Sequence, residues 1–227
     1  MSFFAITSNH PRHVQFLETL YEQLKIPVVI VVDKGPISQK EADFFEADLS
    51  LLRQPNILRC NLKQLHSNFV LQTLKKLDPK AGFVFGAPLL KESIFSIPEY
   101  GCVNIHTGPV DHYRGVDSAY WAIQDERLDL IGATLHYIDK SIDGGDTIEI
   151  GNVSCDIYDT PDTLFFKSCK SGFSLLRDNL YDIVNNSVST IKLDKLGKLY
   201  QNKDMNDDVV RSIHEKLPRL LREYKWK

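Results

Sequence analysis

Cys60, Cys102, Cys155 and Cys169 are the four cysteines of this 227-residue sequence, and no two of them form a C-x-x-C pair. A zinc ribbon or a disulfide framework therefore has no support, and four buried, reduced thiols are expected. A surplus of positive charge is missing as well. Lys and Arg number 27 against 30 Asp and Glu, a formal net charge of -3. A nucleic acid or an anionic membrane would call for a clustered basic surface, so neither is an expected partner. Residues 1–13 carry no cationic leader followed by an apolar run, and nothing approaches the ~20 consecutive apolar residues that cross a bilayer. A cytoplasmic location is expected. Internal repeats, low-complexity tracts and long linkers are absent, so one core with a small C-terminal appendage accounts for the length.

What the sequence does contain is alternation. Over the first 105 residues, short β-rich runs (3–7, 27–32, 57–61, 82–85 and 101–105) alternate with helical stretches (11–24, 41–52, 65–77 and a short turn around Ile94 and Phe95). This predicts an α/β fold, a Rossmann-like and mostly parallel sheet with helices on both faces. In 11–24, Val14, Leu17, Tyr21 and Leu24 recur at helical spacing behind Pro11. A helix over 118–126 and strands over 132–138 and 147–153 extend the sheet. Thr160 reads as an N-cap, with Pro161 at the first helical position and Asp162 beside the positive helix end, opening a long helix to Val184. The chain divides into a core over 1–185 and an extension over 186–227. In the extension, 192–201 reads as a small hairpin and 204–217 as a charged helix that Pro218 kinks or ends.

The first strand leads into Thr7-Ser8-Asn9-His10-Pro11 and lacks the G-x-G-x-x-G turn that lets a backbone approach a pyrophosphate. A nicotinamide-dinucleotide role is disfavoured. Ser8 and Asn9 still stand at a helix N-terminus with Arg12 in its first turn. Either they receive a phosphate or carboxylate of a substrate, or Ser8 or Asn9 caps the helix and Arg12 is solvated. His10 and His13 straddle a turn with no acidic ligand at helical spacing, so a zinc hydrolase is not supported and no metal is expected.

Chemistry gathers later. Asn104 and His106 stand two apart on a strand, so both side chains leave one face while Val103 and Ile105 enter the opposite layer. Asp143 is followed by Gly144 and Gly145, whose permissive backbone would let the loop fold close and aim a carboxylate at the same point. A carboxylate, an imidazole and an amide suit acyl transfer, in which a proton leaves an attacking amine while charge grows on a carbonyl oxygen.

Asn104-Ile105-His106, then Tyr113-Arg114-Gly115, then Gly132-Ala133-Thr134-Leu135-His136, then Ile142-Asp143-Gly144-Gly145 resemble, in order and separation, the signature of the folate-dependent formyltransferases. The resemblance covers roughly residues 82–150. It implies 10-formyltetrahydrofolate as donor and Asn104, His106 and Asp143 as the catalytic triad. An amine would attack the formyl carbon directly, with Asn104 and protonated His106 stabilising the oxyanion and Asp143 orienting His106 and moving the proton. His136 matches a family position near the site and is either structural or catalytic. Gly86, Ala87, Pro88, Leu89 and Leu90, with Ile138 and Asp139, match the family's folate-binding loops. Ser8, Asn9, Arg12, Tyr113 and Arg114 are candidates for the acceptor side. Arg114 either serves the acceptor or holds its loop by bonding carbonyls, and Tyr113, Tyr120 and Trp121 either stack on a substrate or belong to the core.

Departures from the family pattern bear on the acceptor. Thr107-Gly108-Pro109-Val110-Asp111-His112 stands where many members carry an S-L-L-P run. The phosphate loop of the glycinamide ribonucleotide enzymes is missing after the first strand. The stretch after Val184 is too short for the added basic domain of the methionyl-tRNA enzymes, and the net charge suits a tRNA badly. The chain is thus most like the sugar N-formyltransferases, which implies a nucleotide-linked or otherwise activated amino sugar as small-molecule substrate, surface glycan biosynthesis as the setting and, by analogy with relatives, a homodimer. Two rivals stand beside it: a formyltetrahydrofolate hydrolase, using water in place of the amine, and a catalytically idle, ligand-binding relative, which would be expected to have lost at least one triad position.

Overall fold

In the computed structural model, which describes residues 1–36 and 38–224, strand and covering helix alternate from the start. The order is β1 (Phe3–Ser8), α1 (Pro11–Tyr21), β2 (Val28–Val32), α2 (Gln39–Phe45), β3 (Ile57–Cys60), α3 (Asn68–Leu77), β4 (Ala81–Phe85), α4 (Glu92–Phe95) and β5 (Cys102–His106). Then follow β6 (Tyr113–Gly115), α5 (Ser118–Gln124), β7 (Gly132–Tyr137), β8 (Thr147–Asn152), α6 (Pro161–Val184), β9 (Lys198–Tyr200) and α7 (Asp207–Tyr224). Seven strands form one sheet in the order β3-β2-β1-β4-β5-β7-β8. The first five are parallel, and β7 and β8 join antiparallel at one edge. The Rossmann-like α/β reading holds.

Alternation along the strands divides the core. Phe83, Phe85, Val103, Ile105 and Leu135 pack toward Phe16 and Leu17 of α1 and Phe173 and Leu176 of α6. Phe4, Ile6, Val84 and Cys102 face the other way, toward Val70 and Leu74 of α3 and Ile94 of α4. With both faces covered, β1, β2 and β4 are almost wholly buried, which is why they read as continuous apolar runs. The helix behind β5 starts as expected. Thr160 Oγ1 accepts from Thr163 N at 3.2 Å and Thr163 Oγ1 from Thr160 N at 2.8 Å, with Pro161 at N1. Truncating Phe173 to Ala in this layer would cost about 3–5 kcal/mol.

Four local readings differ. The helix expected over 41–52 ends at Phe45, where Glu46 turns left-handed and Asp48 caps a separate 3-10 turn, Leu49–Arg53. α3 starts late because Asn61 and Gln64 bond each other's backbone N–H and Ser67 takes the cap. The last helix starts at Asp207, where Asn206 Oδ1 accepts from the N–H groups of Asp208 and Val209, and it runs through Pro218. Ile213, Leu217, Leu220 and Leu221 are buried on both sides of that proline, and their burial, about 1.5–3 kcal/mol each, offsets the ~3 kcal/mol penalty of an interior proline.

No hairpin forms over 192–201. β9 instead pairs parallel with β6, and Ile191 bridges to Thr147. The pairing sets Tyr200 on Trp121, with ring centroids 4.0 Å apart and planes 16° from parallel. Around that stack Tyr113, Ile123, Leu164, Leu217 and Leu221 form a second core. Cys60, Cys102 and Cys169 are buried and free, while Cys155 is free but half-buried. No helix among the described residues is long and apolar enough to cross a membrane.

Candidate active site

Register places the first part of the site. Val84 on β4 pairs with Asn104 on β5, and Asn104 with His136 on β7, so one row of the sheet presents all three to the same side. They form the floor of a cavity of about 360 Å³. His136 is buried, and its Nδ1 lies 2.8 Å from Tyr137 O. A carbonyl only accepts, so Nδ1 carries the proton and Nε2 accepts from Asn104 Nδ2 at 3.1 Å. Burial lowers the His136 pKa against the opposing pull of Asp143 and the Tyr137 carbonyl, which keeps the ring neutral. Asn104 retains a second amide proton.

Asp143 arrives from the β7–β8 loop. Its Oδ2 lies 3.4 Å from His106 Nδ1 and accepts from Gly115 N at 2.8 Å, and its Oδ1 lies 3.9 Å from His136 Nε2. Arg114 fastens the loop, with Nε donating to Gly197 O at 2.9 Å and an Nη1 proton to Ile142 O at 3.1 Å. The glycines after Asp143 serve differently from expectation. Asp143 itself carries the left-handed φ of 49°, and neither Gly144 nor Gly145 has positive φ. They are needed for space, since a Cβ on Gly145 would sit 2.0 Å from Tyr137 O and one on Gly144 2.3 Å from Ser141 Oγ. Aspartate tolerates the left-handed region through its short polar side chain, at about 1–2 kcal/mol.

A second cavity, about 190 Å³, adjoins the first and is lined by Arg12, Gly86, Thr107, His106 and Phe165 among others. Ala87, Asn104, Gly115 and Asp143 line both. Gly86, on the lining of the smaller cavity, has φ +59°, and an added Cβ there would stand 2.1 Å from His13 Cε1. His13 is buried beneath, its Nδ1 2.9 Å from Thr7 Oγ1, while Thr7 Oγ1 donates to Phe85 O at 2.9 Å. Burial, then the charges of Arg12, Lys34 and His10, hold His13 well below the usual imidazole range. Lys34 Nζ donates to Gly86 O at 2.7 Å from the rim. Thr7 is the last residue but one of β1 and Phe85 the last of β4, where the strand order reverses and α/β sheets open a crevice.

Of the anticipated donor-side residues, Ala87, Pro88, Leu89, Leu90, Ile138 and Asp139 line the larger cavity, and Gly86 lines the smaller. The acceptor-side expectations need correction. Ser8 is wholly buried with its hydroxyl on Asn9, Asn9 Oδ1 accepts from Lys34 N, and neither caps α1, whose N-cap is His10. Tyr113 is 4% exposed and donates its hydroxyl to Asp125, so it belongs to the second core. Arg114 is spent on carbonyls. Arg12 does line the smaller cavity, but its guanidinium is paired with buried Glu41 and lies 5.5 Å from the Phe165 ring centroid. Val116, Leu199, Tyr200, Gln201 and Asn202, which also wall the larger cavity, carried no signal in the sequence, because β9 is placed only by its distant partner β6.

No family model matches the chain. Over 173 residues it is 31% identical to the methionyl-tRNA formyltransferase of Malacoplasma penetrans, which takes in 75% of this chain and 52% of that protein. Among solved structures, the N-formyltransferase of Helicobacter canadensis, in complex with folinic acid and dTDP-3-aminofucose, superposes with a TM-score of 0.69 at 20% identity. That match covers 99% of this chain and 82% of the other. In sequence and in fold, the chain is similar to formyltransferases. A 4-N formyltransferase from Francisella tularensis shares the fold at a TM-score of 0.67 and 20% identity, covering 95% of this chain and 87% of its own. The chain spans about half, or less, of the length of the curated relatives it matches.

Proposed function

We propose that the chain transfers a formyl group from 10-formyltetrahydrofolate to the primary amine of an amino sugar borne on a nucleotide or another activating group. The observation that carries this reading is the shared wall. With Ala87, Asn104, Gly115 and Asp143 lining both cavities, a formyl carbon entering from one side and an amine from the other would meet at Asn104 and Asp143. The larger cavity suits a flat heteroaromatic donor. Val84, Leu90, Ile138 and Leu199 give it apolar walls, and the loop backbones around Ala87 and Asp139 offer hydrogen-bonding edges.

Once bound, the donor supplies the electrophilic carbon. Asn104 offers its free amide proton to the oxygen on which charge grows. His106, fixed from behind by Tyr113 O at 3.0 Å, turns Nδ1 toward Asp143 and the cavity, where a proton on that nitrogen neutralises the same charge. Preorganised donors of this kind contribute about 10²–10³ each in rate. Asp143 would accept the proton that the amine loses, worth about 10²–10⁴ for a positioned base, and pass it to the folate nitrogen as the bond from that nitrogen to the formyl carbon breaks and tetrahydrofolate leaves. On the acceptor side, Arg12 supplies a cation and Phe165 an aromatic face. The neighbour solved with dTDP-3-aminofucose supports an amino-sugar acceptor, whereas the naming of the curated relatives supports methionyl-tRNA.

Incubation with 10-formyltetrahydrofolate and, separately, amino-sugar nucleotides, methionyl-tRNA, glycinamide ribonucleotide or no acceptor separates the readings. Tetrahydrofolate release with one formyl group gained by an amino sugar is the expected result. Formylation of methionyl-tRNA alone, or formate released without acceptor, would overturn it.

A further inference from the structure

Behind the reacting side of His106 stands a hydroxyl outside the signature and outside both cavities. Ser118 opens α5, is 1% exposed, and places Oγ 3.0 Å from His106 Nε2. The same nitrogen lies 3.0 Å from Tyr113 O. Space for Ser118 is cut by Gly108, where a Cβ would stand 2.3 Å from Ser118 Cβ and 3.3 Å from Nε2. Thr134 Oγ1 donates to Gly108 O at 2.7 Å and holds that backbone in place.

The two groups at Nε2 differ in what they can do. Tyr113 O only accepts, while the Ser118 hydroxyl donates or accepts. With both ring nitrogens protonated, Nδ1–H points to Asp143 and Nε2–H to Tyr113 O. After loss of one proton, a ring keeping Nε2–H would aim the Nδ1 lone pair at the Asp143 carboxylate 3.4 Å away. A ring keeping Nδ1–H would leave Nε2 as an acceptor, and Ser118 is the donor that meets it. The titratable groups facing His106 are Asp143, His136 from β7 and, in the shared cavity, Arg12 of α1.

We propose that Ser118 is a positioning residue: its hydroxyl switches from acceptor to donor so that His106 presents Nδ1–H to Asp143 and the reacting centre in both protonation states. The consequence for turnover rests on the formyl-transfer reading; the tautomer itself does not.

The test is ¹⁵N NMR of the full chain labelled with [¹⁵N]histidine, the His106 signals being assigned by their loss in His106→Asn. At a pH where the ring is neutral, the parent is expected to hold Nδ1–H, and Ser118→Ala to move toward Nε2–H. In parallel, Ser118→Ala should lower kcat about tenfold, most at alkaline pH, and leave both KM values within about twofold. A neutral parent ring carrying Nε2–H, or an unchanged tautomer in folded Ser118→Ala, would overturn the proposal. The spectra decide it even where no formyl transfer is detected.

Discussion

Asp143 and His106 meet through a single oxygen: Oδ2 lies 3.4 Å from Nδ1 and is held there by the Gly115 N–H. The carboxylate therefore cannot swing toward solvent without leaving a backbone donor unpaired. Asp143→Asn keeps the shape and removes the charge. Its kcat should fall by about 10²–10⁴, with the folate KM little changed. Steady-state assays that found a loss below about tenfold, ~1.4 kcal/mol in barrier, would remove Asp143 from the chemistry.

Arg12 carries two duties, one toward the smaller cavity and one toward Glu41, whose side chain is 4% exposed. Arg12→Ala should raise the acceptor KM and spare the folate KM. It should also destabilise the fold by up to about 3–5 kcal/mol, because buried Glu41 loses its guanidinium partner and keeps the residue-12 backbone N–H at 3.2 Å and His10 Nδ1 at 3.5 Å. Denaturant titration beside the kinetics separates the two effects, and a rise in the folate KM alone would place the acceptor elsewhere.

Gly86→Ala tests the turn that leads into Ala87, which lines both cavities. A methyl group 2.1 Å from His13 Cε1, on a backbone at φ +59°, forces the ring or the turn to move. A loss of about 2–5 kcal/mol from overpacking and left-handed strain is expected. Binding of folate should weaken in the same variant, as calorimetry would show.

Acid should loosen the fold through His13. The unfolded chain takes up a proton near the ordinary value of 6.5, whereas the folded chain, with His13 buried, takes it up only well below. The unfolded state thus binds more protons in that window. Stability falls as pH drops below about 6.5, by at most ~1.4 kcal/mol per pH unit for each such group. His136 and His66 shift in the same direction. Urea unfolding from pH 7.5 to 5 should show this slope, and His13→Gln should reduce it; an unchanged slope would clear His13.

What could be read from the sequence was what local pattern determines. The buried strands, α6 with its Thr160 cap, and the common face of Asn104 and His106 all follow from period and capping. Partners distant in the chain were not legible. Nothing near residue 198 announces that it will pair with Tyr113, and nothing near Ser8 announces that its hydroxyl will be buried. The two glycines after Asp143 were read for torsional freedom, yet they are required by Tyr137 O and Ser141 pressing against them. His13 was read only as an unsupported metal ligand and Ser118 only as the start of a helix, because each acquires its meaning from an atom brought up by another part of the chain.

The β6–β9 pairing also bears on how the molecule is made. Every strand of the main sheet lies before residue 153, so a chain emerging from the ribosome can assemble its sheet, and bring Asn104, His106 and Asp143 together, early. Leu199, Tyr200, Gln201 and Asn202, which close the larger cavity, are synthesised afterwards. The nascent molecule can thus hold Asn104, His106 and Asp143 in place before residues 199–202 exist, so the larger cavity gains that side only after the main sheet is made.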